Sequence, residues 1–362
     1  MSKKHGRIKL KTLAPVFIGS GNELEETEYF LDRAERKAYI LNTSRFFRFL
    51  IEHNLQDSYE RFIFGGTKNS FNEWVKYQNP ISVKDIKELS DYCLDIGEAD
   101  IRHSDIKTFV KDSYGEVYIP GSSLKGALRT VILQELIKKE KLPDDIRENI
   151  TKEVFSRERK FNRKAFLRRE NSGVEGLLQR KNVIHETEIV DKWMSGIRIS
   201  DSDIISKSAL ILCAKEDYSP DGQKAFSKIP ILRECLKPGV EIDFSFSIND
   251  NFPYSMNDIT EMIKSGFEKY QQEYLASYCG RIEYPECVLP LGGGVGFVSK
   301  TLIYSIYPKR QAVKVAREIL QKQFWKHKHK TDEKISPRMR KMTHYQGKLF
   351  DMGLCTFSWE ID

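Results

Sequence analysis

No stretch of this chain is apolar for long enough to cross a bilayer. Its longest uninterrupted run, Ala209–Ala214, falls far short of the roughly 20 residues that a spanning helix needs. The basic opening Met1–Leu10 is not followed by an apolar segment, so no signal peptide is expected. Cysteines are few and scattered (Cys93, Cys213, Cys235, Cys279, Cys287 and Cys355), with no C-x-x-C pair and no histidine at zinc-site spacing. Nothing there calls for a disulfide framework, a structural metal or a cofactor, and the expectation is a reduced, cytoplasmic protein. Nucleotide-binding loops are missing too. Lys125 precedes Gly126, whereas a P-loop closes on Gly-Lys-Ser/Thr, and the glycines near 292 lead into alternating residues where a Rossmann fingerprint opens a helix. The histidines His53, His103, His185, His327, His329 and His344 stand apart from any loop motif, so no catalytic residue is assigned and an enzyme is not expected.

What is abundant is charge. Charged residues make up 31% of the 362, with a net charge of +7, which suits a polyanionic partner. The length allows two domains with real cores, or one core with large insertions. The most informative stretch is YIPGSSLKGALRTVILQELIKK, Tyr118–Lys139. Pro120-Gly121 ends a strand, Ser122 and Ser123 are candidate N-caps, and Leu124, Leu128, Val131, Ile132 and Leu136 recur at helical spacing. Ser122, Lys125 and Arg129 fall on one stripe beside the helix start. A helix start with added cations fits an anion, most readily phosphate, and equally fits a capped core helix with two solvated cations.

Upstream, Ile8–Ile18 reads as an opening strand, and Gly19-Ser20-Gly21 follows as a turn able to present N–H groups to an anion. Residues 23–112 read as a helical insertion, with short helices at Phe46–Asn54 and Asp85–Ile96 broken at Gly65-Gly66. A second insertion spans about 146–190. From Thr151 to Lys181 it holds ten Lys/Arg against four Asp/Glu, with Phe155, Phe161 and Phe166 interleaved. Arg157, Arg159, Lys160, Arg163, Lys164, Arg168 and Arg169 are therefore candidate RNA contacts, or the solvated face of an amphipathic helix. Ser200-Asp201-Ser202-Asp203 reads as a capping cluster rather than a metal site. Val240–Ile248 alternates strictly, and strand–turn–strand followed by the helix Asn257–Cys279 is half of a ferredoxin-like unit. Gly292, Gly293, Gly294 and Gly296 form a loop that leads, on this reading, into a strand, with Phe297 and Lys300 beside it and Lys300 within reach of a phosphate. A helix Ala312–Trp325, a basic unpatterned segment Lys326–Lys341 and a final strand Leu354–Ile361 complete the chain.

The strings LAPVFIGSG, YIPGSSLKGALRT, IRISDSD and GGGVGFVSKT, in this order, resemble the RAMP superfamily of CRISPR-associated proteins, and within it most the fifth Csm subunit of type III-A interference complexes. The resemblance implies an α+β chain with a ferredoxin-like (RRM-like) RAMP core. It would comprise an N-terminal half over 1–215 and a C-terminal half over 216–362, each ferredoxin-like, with large helical insertions. It implies an RNA-binding subunit without chemistry of its own, capping the crRNA 3′ end and needed for crRNA maturation in antiviral defence. Gly19, Ser20, Gly21, Ser122, Ser123, Lys125, Arg129, the 292–296 glycines, Phe297 and Lys300 are then the expected RNA contacts. Partners implied are crRNA, target RNA, the neighbouring backbone RAMP subunit and other Csm subunits, with recruited host nucleases as further candidates and no membrane. Two rival readings accompany this one. The first is a metal-independent crRNA-processing endoribonuclease. The second is a target-cutting backbone subunit, whose aspartate would be Asp32, in a stretch that looks helical.

Overall fold

The computed structural model describes residues 4–65, 70–78, 81–98, 105–139, 142, 144–156, 193–225, 231–250, 252–280 and 282–361. Period-two alternation builds the first sheet. In β1 (Lys4–Thr12) Gly6, Ile8, Leu10 and Thr12 are buried while Arg7, Lys9 and Lys11 face out. In β10 (Glu241–Ile248) the buried set is Ile242, Phe244, Phe246 and Ile248. These two strands pair antiparallel, β7 (Ile197–Ser202) joins β10, and β14 (Leu354–Ile361) joins β1 and β11 (Val288–Pro290). The result is a five-stranded sheet in the order β11-β14-β1-β10-β7. Two long helices bring their apolar residues to the core that this sheet shares. They are α5 (Gly121–Lys139), through Leu124, Leu128, Ile132 and Leu136, and α7 (Met256–Glu273), through Ile259, Met262 and Ile263. Ser255 and Asp258 form a capping box that starts α7.

The second sheet has nine strands. Its path runs β2 (Gly19–Leu24), β6 (Ile106–Phe109), β9 (Ile231–Leu236), β8 (Leu210–Tyr218), β5 (Ser90–Asp95), β4 (Lys37–Leu41), β3 (Tyr29–Asp32). The hairpin β12 (Arg340–Tyr345) and β13 (Lys348–Asp351) attaches to the far half of β8. Against this sheet sit α1 (Thr43–Glu52), α2 (Gln56–Phe64), α3 (Phe71–Lys76) and α4 (Val83–Leu89), which close around an aromatic cluster of Phe46, Tyr59, Phe71 and Trp74. The remaining helices are α6 (Asp144–Phe155), α8 (Ile303–Ile306) and α9 (Lys309–Gln323). Among the described residues, no helix is long and apolar enough to cross a membrane.

Several expectations are corrected. The region 23–112 is not a helical rider, because it supplies strands β3, β4, β5 and β6 to the second sheet. The helix expected over Asp85–Ile96 stops at Leu89; Ser90 turns extended and the rest continues as β5. Asp32 ends a strand instead of lying in a helix, and its carboxylate accepts the N–H groups of Ala34 and Glu35, each at 3.0 Å, to close the β3–β4 turn. Residue 215 does not divide the sheets. It lies inside β8, and the five-stranded sheet draws β1 and β7 from before it and β10, β11 and β14 from after it. The strand expected after the glycine loop is a single turn, Val298–Lys300, followed by α8. Thr301, Leu302, Ile303 and Tyr304 are buried in succession, and a segment with no solvent face carries no usable period.

Candidate nucleic-acid interface

The first turn of α5 is fastened to the edge strand β7. The Gly121 N–H donates to Asp201 Oδ1 at 2.9 Å, and the Ile119 N–H donates to Ser202 Oγ at 2.9 Å. Ser200 Oγ accepts the Ser245 N–H at 2.9 Å, and Asp203 pairs with Arg7 at 3.0 Å. Every member of the Ser200–Asp203 cluster thus fastens chain to chain, as its capping reading expected. The helix cap comes from Asp201 on β7, across the sheet edge, and not from Ser122 or Ser123. Gly121 is required by this approach, since a Cβ there would lie 2.2 Å from the Ser200 carbonyl oxygen. Lys125 is also committed: its amine donates to the Ile197 carbonyl at 2.7 Å. Burial, with Arg198 nearby, lowers its pKa. The expectation that Lys125 faces solvent is therefore corrected. Ser122 and Gly126 are exposed on the outer side of the helix, and Arg129 is half-buried.

The two glycine stretches, by contrast, meet. Val16 bridges to Leu236 at the end of β9, and Phe17 bridges to Gly293, whose N–H donates to the Phe17 carbonyl at 2.6 Å. Gly292 sits at φ +80 with its Cα against that carbonyl; a Cβ would approach it to 2.3 Å. Gly19 also lies against the Phe17 ring, where a Cβ would touch it at 2.9 Å. Gly21 and Gly296 differ. Both have positive φ and open space where a side chain would be, so only backbone is presented there. Gly19–Gly21 is the bulged start of β2 rather than a free turn, and Ser20 Oγ is bonded to Thr108 Oγ1 at 2.6 Å. Phe297 packs against the main core, which leaves Lys300 as the exposed side chain of this loop.

One residue at this junction carried no signal in the sequence. Arg233 lies mid-way along β9, and its guanidinium stands 5.0 Å from the centre of the Phe17 ring. Its Nη1 is 4.0 Å from Met352 Sδ, and a Cβ on Gly294 would come within 3.1 Å of the same nitrogen. In sequence, a single arginine within a short strand looks like any solvated cation, so only the fold reveals its position.

Several of the described histidines pair or stack within the fold. His329 and Ser336 both bond to the buried Asp332, at 3.0 and 2.9 Å, while His344 bonds to Glu216 at 2.8 Å. The His53 ring stacks on Phe49. His103, His185 and the basic run Arg157, Arg159, Lys160, Arg163, Lys164, Arg168 and Arg169 lie outside the described residues. Among the described residues no group of His, Cys, Asp and Glu could hold a metal.

The family model of the RAMP superfamily matches residues 9–321. A CRISPR system Csm5 protein of Mycobacterium tuberculosis is 28% identical over 387 residues, spanning 97% of this chain and 96% of its own. Its counterpart from Enterococcus italicus is 26% identical over 365 residues, spanning 90% and 87%. Among solved structures, a chain of the Csm–crRNA–target RNA ternary complex of a type III-A CRISPR-Cas system superposes with a TM-score of 0.65 at 20% identity, covering 98% of this chain and 100% of that one. The crystal structure of T. onnurineus Csm5 gives a TM-score of 0.60 at 19% identity, covering 96% and 99%.

Proposed function

Because the chain belongs to the RAMP superfamily, we propose that it is the Csm5-type subunit of a type III-A CRISPR interference complex, a non-catalytic RNA-binding protein that caps the crRNA 3′ end and is needed for its maturation. The likeness to Csm5 proteins over nearly their whole length supports the subunit assignment. A ferredoxin-like core is part of the reading. Taken as β1–α5–β7–β10–α7–β14, the first sheet has the strand order fourth, first, third, second, which supports it.

The observation that carries the RNA reading is the Phe17–Gly293 bridge, which sets the Gly19–Gly21 stretch beside the 292–296 loop. Glycine backbones without side chains let a phosphate chain lie close and expose N–H donors to it. Contacts of that kind position RNA without reading its bases. In the complex the partners are crRNA, target RNA, the adjacent backbone subunit and other Csm subunits, with host nucleases recruited for maturation. The test is direct. Purified protein should bind unrelated single-stranded RNAs of one length with affinities agreeing within about tenfold, or about 1.4 kcal/mol, and leave them uncut over hours with or without Mg²⁺. A strong preference for one short motif, or cleavage, overturns the reading and revives the processing-enzyme rival.

A further inference from the structure

We propose that Arg233 is a direct ligand of an RNA backbone phosphate, placed where the glycine loop packs on the second sheet. This rests on the RNA reading above and adds to it a residue and a binding mode. Alternation along β9 turns Leu232, Glu234 and Leu236 to the main core and puts Arg233 on the other face, at the edge of the smaller buried cluster of Phe17, Ile211, Cys213, Cys235 and Met352. There it is half-buried, and its Nε is fully covered without a hydrogen-bond partner. Among the described residues no carboxylate forms an ion pair with it.

Its neighbours show how unusual that is. Lys107 pairs with Glu23, and Lys111 pairs with Glu234 at 2.6 Å. Lys215 and Lys341 share one carboxylate, Asp217, at 3.3 and 2.6 Å. Asp217, the carboxylate that acts on Arg233 through space, is thus already engaged by two lysines. On the outer face of the first sheet, by contrast, Arg7, Lys9 and Lys11 pair with Asp203, Glu360 and Glu241 at 3.0, 2.9 and 3.4 Å.

A cation withdrawn from water without a counter-ion costs stability, and an arginine escapes that cost by meeting an anion, not by losing its proton. Burial does lower the Arg233 pKa. The Phe17 ring, Met352 Sδ and the Gly294 backbone confine the guanidinium, so little side-chain entropy remains to be lost on binding. A planar fork held in place matches two phosphate oxygens. The backbone at Gly296, with open space where a side chain would stand, lies two residues beyond the contact at Gly294, so one strand of RNA could meet both.

The experiment compares the wild type with Arg233→Gln and Arg233→Lys, measuring affinity for a single-stranded RNA across salt, and thermal midpoints without RNA. Arg233→Gln should weaken binding about tenfold near physiological salt and flatten the salt dependence by about one unit of slope. Its midpoint should equal or exceed that of the wild type, since an unpaired, desolvated charge is gone. Arg233→Lys should keep the slope while losing part of the affinity. Inorganic phosphate, the second probe, should raise the wild-type midpoint less than RNA does at equal phosphate concentration. If Arg233→Gln binds RNA with unchanged slope and affinity, Arg233 is not a ligand, while the proposed function stands. If the wild type binds no RNA, the function fails and this assignment with it. Lower midpoints in both variants with unchanged slopes would make Arg233 a packing residue against Phe17. A phosphate effect without an RNA effect would make this a free-anion site. Either result overturns the proposal.

Discussion

Gly121 and Gly126 lie on the same helix, and the structure gives them opposite fates on substitution by alanine. At Gly121 the added Cβ would meet the carbonyl oxygens of Ser200 and Ile199 at 2.2 and 2.5 Å. Those are backbone atoms of β7 and cannot rotate away, so the start of α5 must retreat. Retreat breaks the Gly121–Asp201 cap and the Ile119–Ser202 bond. A lost cap costs roughly 0.5–2 kcal/mol and a lost hydrogen bond about 1 kcal/mol, and loosened packing brings the sum to about 3 kcal/mol. With an unfolding entropy of roughly 2.1 cal/mol/K per residue over 362 residues, the midpoint of Gly121→Ala should fall by about 4 °C. At Gly126 no atom lies within 4 Å of the added Cβ. Alanine there gains helix propensity of about 1 kcal/mol, which is a rise of about 1 °C. Differential scanning calorimetry of the two variants against the wild type reads both. If RNA runs along this exposed flank, Gly126→Ala should also bind RNA more weakly while being the more stable protein. Equal shifts of both variants, in either direction, would refute the packing argument.

Two further outcomes are expected. Lys125→Ala removes the donor to the Ile197 carbonyl and should cost about 1–2 kcal/mol, read as a lower urea midpoint, with the salt slope of RNA binding unchanged; a flatter slope would mean the amine serves RNA instead. For Glu216, burial alone would raise the carboxyl pKa, but hydrogen bonds from Lys224, His344 and Tyr218 outweigh it and hold it below its ordinary value. Such a carboxylate stabilises the fold above its unfolded pKa and loses that contribution as pH falls through the folded one. Glu216→Gln should therefore lower the midpoint at neutral pH and flatten its decline between about pH 5 and pH 3, and a decline as steep as the wild type's would count against the network.

Legibility in the sequence followed solvent exposure of one face. β1 and β10 bury one side and wet the other along their length, and α5 does so over its first turns, so Ile242, Phe244, Phe246 and Ile248, or Leu124 and Leu128, announce their period through residue order alone. The segment Thr301–Tyr304 is wet on neither side, and there Val, Ile and Tyr content pointed to a strand that does not form. The 23–112 region failed for a different reason. Its strands β3, β4, β5 and β6 are only four to six residues long, which is too short for alternation to stand out from the helices between them. Sheet membership across residue 215 was never legible, because long-range pairing such as β1 with β14 leaves no local mark.

The candidate site divides along a similar line. A glycine is legible because it answers a local demand: Gly292 and Gly294 sit at positive φ, and Gly121 and Gly293 lie where any Cβ would strike a neighbour. Such positions cluster into recognisable strings, and the strings led to the Phe17 junction. A cation carries no comparable local demand. Lys125, which stood out through its place in a string, is spent on the Ile197 carbonyl. Arg233, which stood out through nothing, sits over the Phe17 ring, and its buried Nε lacks a hydrogen-bond partner among the described residues. What separates the two lysine-or-arginine fates is the presence of a counter-charge or carbonyl supplied by a distant segment. The RNA contacts proposed for this chain therefore depend on which cations the fold leaves unpaired and immobilised, and not on which ones a local motif displays.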